Sequence, residues 1–137
     1  MEESTESALV FRDYFINSFD YKRSEHAHFS DDTAIELSFD LSAHAGMNEE
    51  KDSLKLLIGC TIFEEEFSQG NAPFYLEANI TGFFDCKGSF DIENFEYNAI
   101  AILLPYLRSF ITSYTSQAGI APVILPPINV YNAFRKT

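Results

Sequence analysis

Tryptophan is missing from this chain, and 137 residues contain just two cysteines and two methionines. Cys60 and Cys86 are too few and too far apart for a metal-binding pattern. Cys60 falls on the apolar side of an alternating run, where a thiol behaves as a small hydrophobe, and in a reducing compartment no disulfide is expected. Basic residues are scarce: nine lysines and arginines stand against 21 aspartates and glutamates, a formal charge of −12. So acidic a chain lacks the cations that neutralise phosphates, which argues against nucleic acid and anionic lipid as ligands while permitting a basic partner. Long apolar runs are also absent. The longest, Ala99 to Leu107, contains Pro105 and falls short of the roughly 18 residues a membrane span needs. The opening Met1-Glu2-Glu3-Ser4-Thr5-Glu6 is acidic, with no apolar segment of the signal-peptide kind, so a cytoplasmic location is expected. The six glycines are scattered singly at turns and strand ends, which excludes the glycine-rich phosphate cradles.

Aromatic side chains, by contrast, abound: 14 phenylalanines and seven tyrosines. Ile35, Leu37, Phe39, Leu41 and Ala43 alternate with Glu36, Ser38, Asp40, Ser42 and His44, which predicts a strand over 33–44 with one buried and one wet face. After a polar turn, Leu54, Leu56, Ile58, Cys60 and Ile62 mark a second strand. Its opposite side is half polar, because Leu57 and Phe63 share it with Lys55 and Thr61. Gly70-Asn71-Ala72-Pro73 breaks the chain, and then Phe74, Leu76, Ala78 and Ile80 alternate with Tyr75, Glu77, Asn79 and Thr81. Upstream, 10–21 reads as a long first strand with Phe11, Phe15 and Phe19 on one face. Asp13 and Asn17 fall on that same face, which points to a bulge or an opening rather than a sealed core.

The last third of the chain changes period. Ile100, Leu103, Leu104, Leu107, Phe110, Ile111 and Tyr114 recur at three- and four-residue steps, the spacing of one helix face. Pro105 interrupts the pattern, while Gly119 suits a C-cap with Pro122 just beyond it. Strands joined by short turns make an antiparallel meander, and a helix burying one face gives an α+β sandwich. The expectation is one domain over 1–137, an about four-stranded antiparallel sheet roughly over 8–85 with a helical, Pro-rich part roughly over 93–137 packed on one face.

Catalytic chemistry is hard to find. Nucleophile-elbow and zinc-protease patterns are missing. His26-Ala27-His28, with Asp31 and Asp32 nearby, resembles a metal-ligand set, but it lacks fixed third and fourth ligands and reads more simply as a polar loop. Glu64-Glu65-Glu66 could serve acid–base work only in a pocket that separates their pKa values; adjacent carboxylates at a turn are usually solvated. His44 sits on the wet side of its strand. The expectation is a protein that is no enzyme and has neither metal nor cofactor.

One ordered set of residues carries a family resemblance. Leu104-Pro105-Tyr106-x-Arg108-x-x-Ile111-Thr112-Ser113, then Gly119, Pro122 and Pro127-Ile128-Asn129-Val130, resembles the C-terminal half of the SecB protein-export chaperones. The likeness is dense over the last third and a matter of pattern over the strands. It implies an ATP-independent holdase for non-native polypeptides, preproteins for Sec-dependent export among them, built as a tetramer of two dimers. It implies that first strands pair in the dimer and that helices pack between the sheets. Apolar grooves would hold clients, and an acidic sheet face would hand them to the SecA motor. On the family's pattern, Asp20 and Glu77 match the SecA-facing carboxylates. A further carboxylate upstream of Asp20 is replaced here by Ile16, and the long C-terminal extension has no counterpart after Thr137.

Phe11, Phe15, Phe19, Leu57, Phe63, Tyr75 and Phe83, on the half-apolar strand sides, are the client-binding candidates, although core packing is the ordinary role of any one of them. Ile100, Leu103, Leu107 and Tyr114 are expected on the packed helix face, within or between chains. Two other readings stay open: a SecB-like chaperone or scaffold dedicated to an antitoxin or another single partner, and a small-ligand-binding α+β domain with a pocket between helix and sheet.

Overall fold

The computed structural model describes residues 8–25, 36–88 and 92–134. In chain order these form β1 (Ala8–Arg23), β2 (Phe39–Met47), β3 (Ser53–Ile62), α1 (Glu64–Ser68), β4 (Phe74–Lys87), α2 (Ile92–Gln117) and α3 (Val130–Phe134). The strands make one antiparallel sheet in the order β1-β4-β3-β2. The expected meander therefore holds for β2, β3 and β4, but β1 joins the far side of β4 instead of pairing with β2. Length offers a reason. β1 has 16 residues and β4 has 14, against 9 and 10 for β2 and β3, so pairing the two long strands satisfies the most backbone groups.

Alternation sorts β3 and β4 cleanly. Leu54, Leu56, Ile58, Cys60 and Ile62 are buried, as are Phe74, Leu76, Ala78, Ile80, Phe84 and Cys86. β1 is less simple, for its register against β4 slips twice, between Phe11 and Asp13 and again between Ile16 and Ser18. Arg12 and Asn17 are thus the extra residues of two bulges, each of which reverses the strand's inside–outside phase. Phe11 pairs with Phe84 and Phe19 with Ala78 on the buried side, whereas Phe15 pairs with Thr81 and faces outward. The three phenylalanines expected on one face are divided. Asp13 and Asn17, which a regular strand would have turned inward, leave the core instead.

Helix α2 covers the inner face of the sheet. Ile100, Leu103, Leu104, Leu107 and Ile111 join the strand residues in one buried cluster. Leu103 comes so close to β4 that a Cβ on Gly82 would stand 2.9 and 3.0 Å from its two methyl carbons. Gly82→Ala should therefore destabilise the protein by about 1–3 kcal/mol through overpacking, read as a lower urea midpoint at unchanged m-value. The helix runs straight through Pro105. Pro105 and Ala101, whose carbonyl loses its partner there, are both exposed, so water can take the bond.

Gly119, at φ 85°, closes the helix in the left-handed conformation that glycine adopts without strain. The Pro-rich segment beyond it is fastened back onto α2. Thr112 Oγ1 donates to the Val123 carbonyl (2.7 Å), Thr115 Oγ1 accepts from the Val123 N–H (2.8 Å), and Arg108 donates to the Leu125 carbonyl (3.1 Å). Val123 and Leu125 are buried as a result. The Glu64–Glu66 run is the first turn of α1, where carboxylates oppose the positive end of the helix dipole.

Candidate interaction surfaces

The sheet has two faces, and the candidates from the sequence divide between them. Phe15, Leu57, Tyr75 and Phe83 lie on the outer face, away from α2, together with Asp20 and Glu77. Phe11 and Phe19 lie on the inner face beside the helix. Phe63 belongs to neither: it is 4% exposed, packs edge-on against Phe74 at 5.3 Å, and has φ 61° as the chain turns into α1. Its place on the half-apolar side of β3 is corrected by that turn, which ends the strand at Ile62 and swings the ring into the core.

Ile100, Leu103 and Leu107 are buried against the chain's own sheet. Tyr114 is half-buried, its ring tilted against Phe19 at 4.4 Å and edge-on to Tyr21 at 5.5 Å. These rings belong to an aromatic seam between β1 and α2. At its other end Phe11, Tyr14 and Tyr106 meet with centroids 4.8–6.0 Å apart. Tyr14 and Tyr106 remain 41% and 40% exposed, and Phe15, 5.7 Å from Phe83 across the sheet, 48%. Tyr14 and Tyr106 were not among the sequence candidates. The Arg12 bulge puts Tyr14 on the inner face, and its signal was the clash of Asp13 with a regular strand pattern. Tyr106 sits beside the core stripe of α2, just outside its period.

On the outer face the strands align side chains in rows. Asp20 stands opposite Glu77, Glu77 opposite Thr61, and Thr61 opposite Asp40. The two carboxylates matched to the SecA-facing pattern are thus cross-strand neighbours, a like-charge placement that is unfavourable in itself. Neighbouring groups temper it. Lys22 Nζ lies 3.9 Å from Asp20, and Glu77 accepts hydrogen bonds from the Tyr75 hydroxyl (3.1 Å) and Asn79 Nδ2 (3.4 Å). Burial first, then the Glu77 hydrogen bond and the charges of Glu77, Glu64 and Asp20, push the Tyr75 phenol up to about 12. The next row is small and polar: Ser18, Asn79, Gly59 and Ser42, with Asn79 donating to Ser18 Oγ at 2.9 Å.

Metal and ligand chemistry gain little from the geometry. His26, His28, Asp31 and Asp32 lie outside the described residues. Among the described residues no group of three or more His, Cys, Asp or Glu side chains is placed to hold a metal ion. Cys60 and Cys86 are free and buried, and burial followed by the Asp40 charge pushes the Cys60 thiol up to about 12. The helix–sheet interface is filled by the apolar cluster. The described depressions open to the surface instead, for example beside Phe110, Ser113, Tyr114, Gln117 and Ala118. Helix α2, although 26 residues long, is not apolar enough to cross a membrane.

A four-stranded antiparallel sheet backed by a long C-terminal helix defines a SecB-like fold. The structure superposes on Rv1957 of Mycobacterium tuberculosis, a SecB-like chaperone solved with a ChAD peptide from the Rv1956 HigA1 antitoxin. The TM-score is 0.68 at 12% identity, covering 88% of this chain and 90% of that one. A protein of unknown function from Streptococcus agalactiae shares the architecture with a TM-score of 0.54 at 13% identity, over 89% and 99% of the two chains. In sequence, the chain is 30% identical over 133 residues to the uncharacterized protein MJ0357 of Methanocaldococcus jannaschii, spanning 95% of this chain and 84% of that protein. It belongs to the same family as that archaeal protein. No model of a known protein family matches the chain.

Proposed function

We propose that the protein is an ATP-independent chaperone that holds non-native polypeptides in the cytoplasm. The observation that carries this reading is the SecB-like fold joined to aromatic rings left open beside β1, Tyr14 and Tyr106 on one face and Phe15 on the other. A holdase needs apolar area without a unique shape, and aromatic rings supply area at low entropic cost. Each buried client side chain contributes only about 1.5–3 kcal/mol before ordering costs. Useful affinity therefore comes from repeated sites on one assembly. β1 is an edge strand of the sheet, and an unpaired edge favours symmetric pairing with a second copy. That supports the dimer from which a tetramer of two dimers would be built, and in this reading Asp20 and Glu77 offer an acidic surface to a SecA-like recipient. No cofactor and no catalytic step enter this reading.

A second reading makes the client one dedicated partner. It is favoured by the peptide in the Mycobacterium tuberculosis neighbour, which comes from an antitoxin. Diluting a chemically denatured, aggregation-prone protein into buffer without nucleotide, with and without this chain, tests the general reading by light scattering. Suppression at near-stoichiometric assembly is the expected outcome. A folded protein that leaves the scattering unchanged would shift weight to the dedicated partner.

A further inference from the structure

Few side chains of this protein are open to one-electron oxidation. Tryptophan is absent. Both cysteines are free but buried, and burial pushes each thiol up, away from its reactive thiolate. Tyrosine is left as the oxidisable ring, and its surroundings differ from one position to the next. Tyr75 donates its hydroxyl proton to Glu77 at 3.1 Å and has Phe67 as a neighbouring ring. Tyr21 and Tyr114 meet edge-on at 5.5 Å, but the Tyr21 hydroxyl is buried with no group beside it to take its proton. Tyr14 and Tyr106 differ on both counts. Their ring centroids lie 4.8 Å apart at an interplanar angle of 41°, and the two residues are 41% and 40% exposed.

The fold holds this pair together. The bulge at Arg12 turns Tyr14 to the inner face of the sheet, where α2 presents Tyr106. Phe11 backs both rings, 6.0 Å from Tyr14 and 5.2 Å from Tyr106, and is itself seated 5.2 Å from Phe84 of the core. Centroids as close as those of the two tyrosines leave no room for a third group between them. We propose that Tyr14 and Tyr106 form an oxidative cross-linking site, joined into an intramolecular dityrosine by hydrogen peroxide acting through a haem peroxidase. Each phenol gives up one electron and its hydroxyl proton, which the surrounding water carries off. The two phenoxyl radicals couple through ring carbons ortho to oxygen, forming one carbon–carbon bond. Each coupled carbon then loses its hydrogen as a proton while its oxygen regains one, which restores both phenols. In all, two electrons and two protons leave the protein, and they reduce one hydrogen peroxide to two waters. The bond ties the edge strand β1 to α2, and by joining residues far apart in the chain it restricts the unfolded state. No client enters the reaction, so the site stands apart from the chaperone reading.

Adding peroxidase and hydrogen peroxide to the dilute full chain tests this, read by the blue fluorescence of dityrosine and by mass. The expected product is two hydrogens lighter and still migrates as a single chain in a denaturing gel. Fragmentation of its linked peptides should place the bond between Tyr14 and Tyr106. Tyr14→Phe and Tyr106→Phe each keep the ring contacts and remove one phenol, so either should abolish the intramolecular product. Tyr114→Phe should leave it unchanged, and circular dichroism confirms that each variant is folded. A product that survives both Tyr14→Phe and Tyr106→Phe overturns the inference, as do bonds found only between chains or placed at other tyrosines. Absence of any product, under conditions that couple free tyrosine in a parallel mixture, overturns it as well. None of these outcomes bears on aggregation suppression, which tests the chaperone reading separately.

Discussion

Leu103→Ala should be among the most damaging single substitutions in this protein, lowering stability by about 2–5 kcal/mol. Leu103 is fully buried at the middle of α2, where the helix leans onto Gly82. Truncation removes the apolar contacts and leaves a cavity that glycine at position 82 does nothing to fill. Leu107 is equally buried and should respond alike, whereas Ser109→Ala, on the exposed side of the same helix, should stay within about 0.5 kcal/mol. Urea unfolding followed by circular dichroism reads the difference. If Leu103→Ala and Ser109→Ala proved equivalent, α2 would not pack on the sheet as described.

The sharpest functional contrast lies between two kinds of phenylalanine. Phe15→Ser combined with Phe83→Ser should reduce client holding by about tenfold or more, on the value of burying two aromatic side chains, with the fold preserved. Phe63→Ser should instead unfold or gravely weaken the protein, by about 3–5 kcal/mol, because it opens the core beside Phe74. Aggregation suppression measured alongside thermal melting separates the two effects. Holding that survives in the Phe15/Phe83 variant would move the client site to the inner seam, where Phe11, Tyr14 and Tyr106 meet. Loss of folding in that variant would show that the outer face has a structural duty.

Much of the fold was legible in the residues. The strict alternation of β3 and β4, the helical period of Ile100 to Tyr114 and the Gly119 stop each have a local cause, and local causes can be read in one sequence. The partner of β1 was not legible, since pairing across the sheet depends on strand lengths and on a connection that the alternation does not describe. The faces of Phe11, Phe15 and Phe19 were legible only in part. Asp13 and Asn17 signalled irregularity, but placing the phenylalanines requires knowing that there are two bulges and where each falls. Phe63 was misplaced for a related reason. Parity places it as though β3 continued, while its own left-handed conformation turns the chain inward. For the surfaces, Glu77 could be placed outward by parity alone. Its neighbour Asp20 became a neighbour only through the β1–β4 pairing.

The paired bulges of β1 act like two compensating frameshifts. Residues 9, 11, 19 and 21 keep one phase, and the stretch from 13 to 16 runs in the other. Deleting Arg12 alone, or Asn17 alone, removes an unpaired residue and leaves every other pair with β4 on its present face. Flattening either bulge with its residue kept would instead turn the strand inside out from that point toward one end. Losing both would leave Phe11, Phe19 and Tyr21 in place and shorten the strand by two residues. Descent can therefore drop either extra residue singly, whereas a residue gained or lost elsewhere along the strand has to be absorbed by a bulge made or unmade beside it.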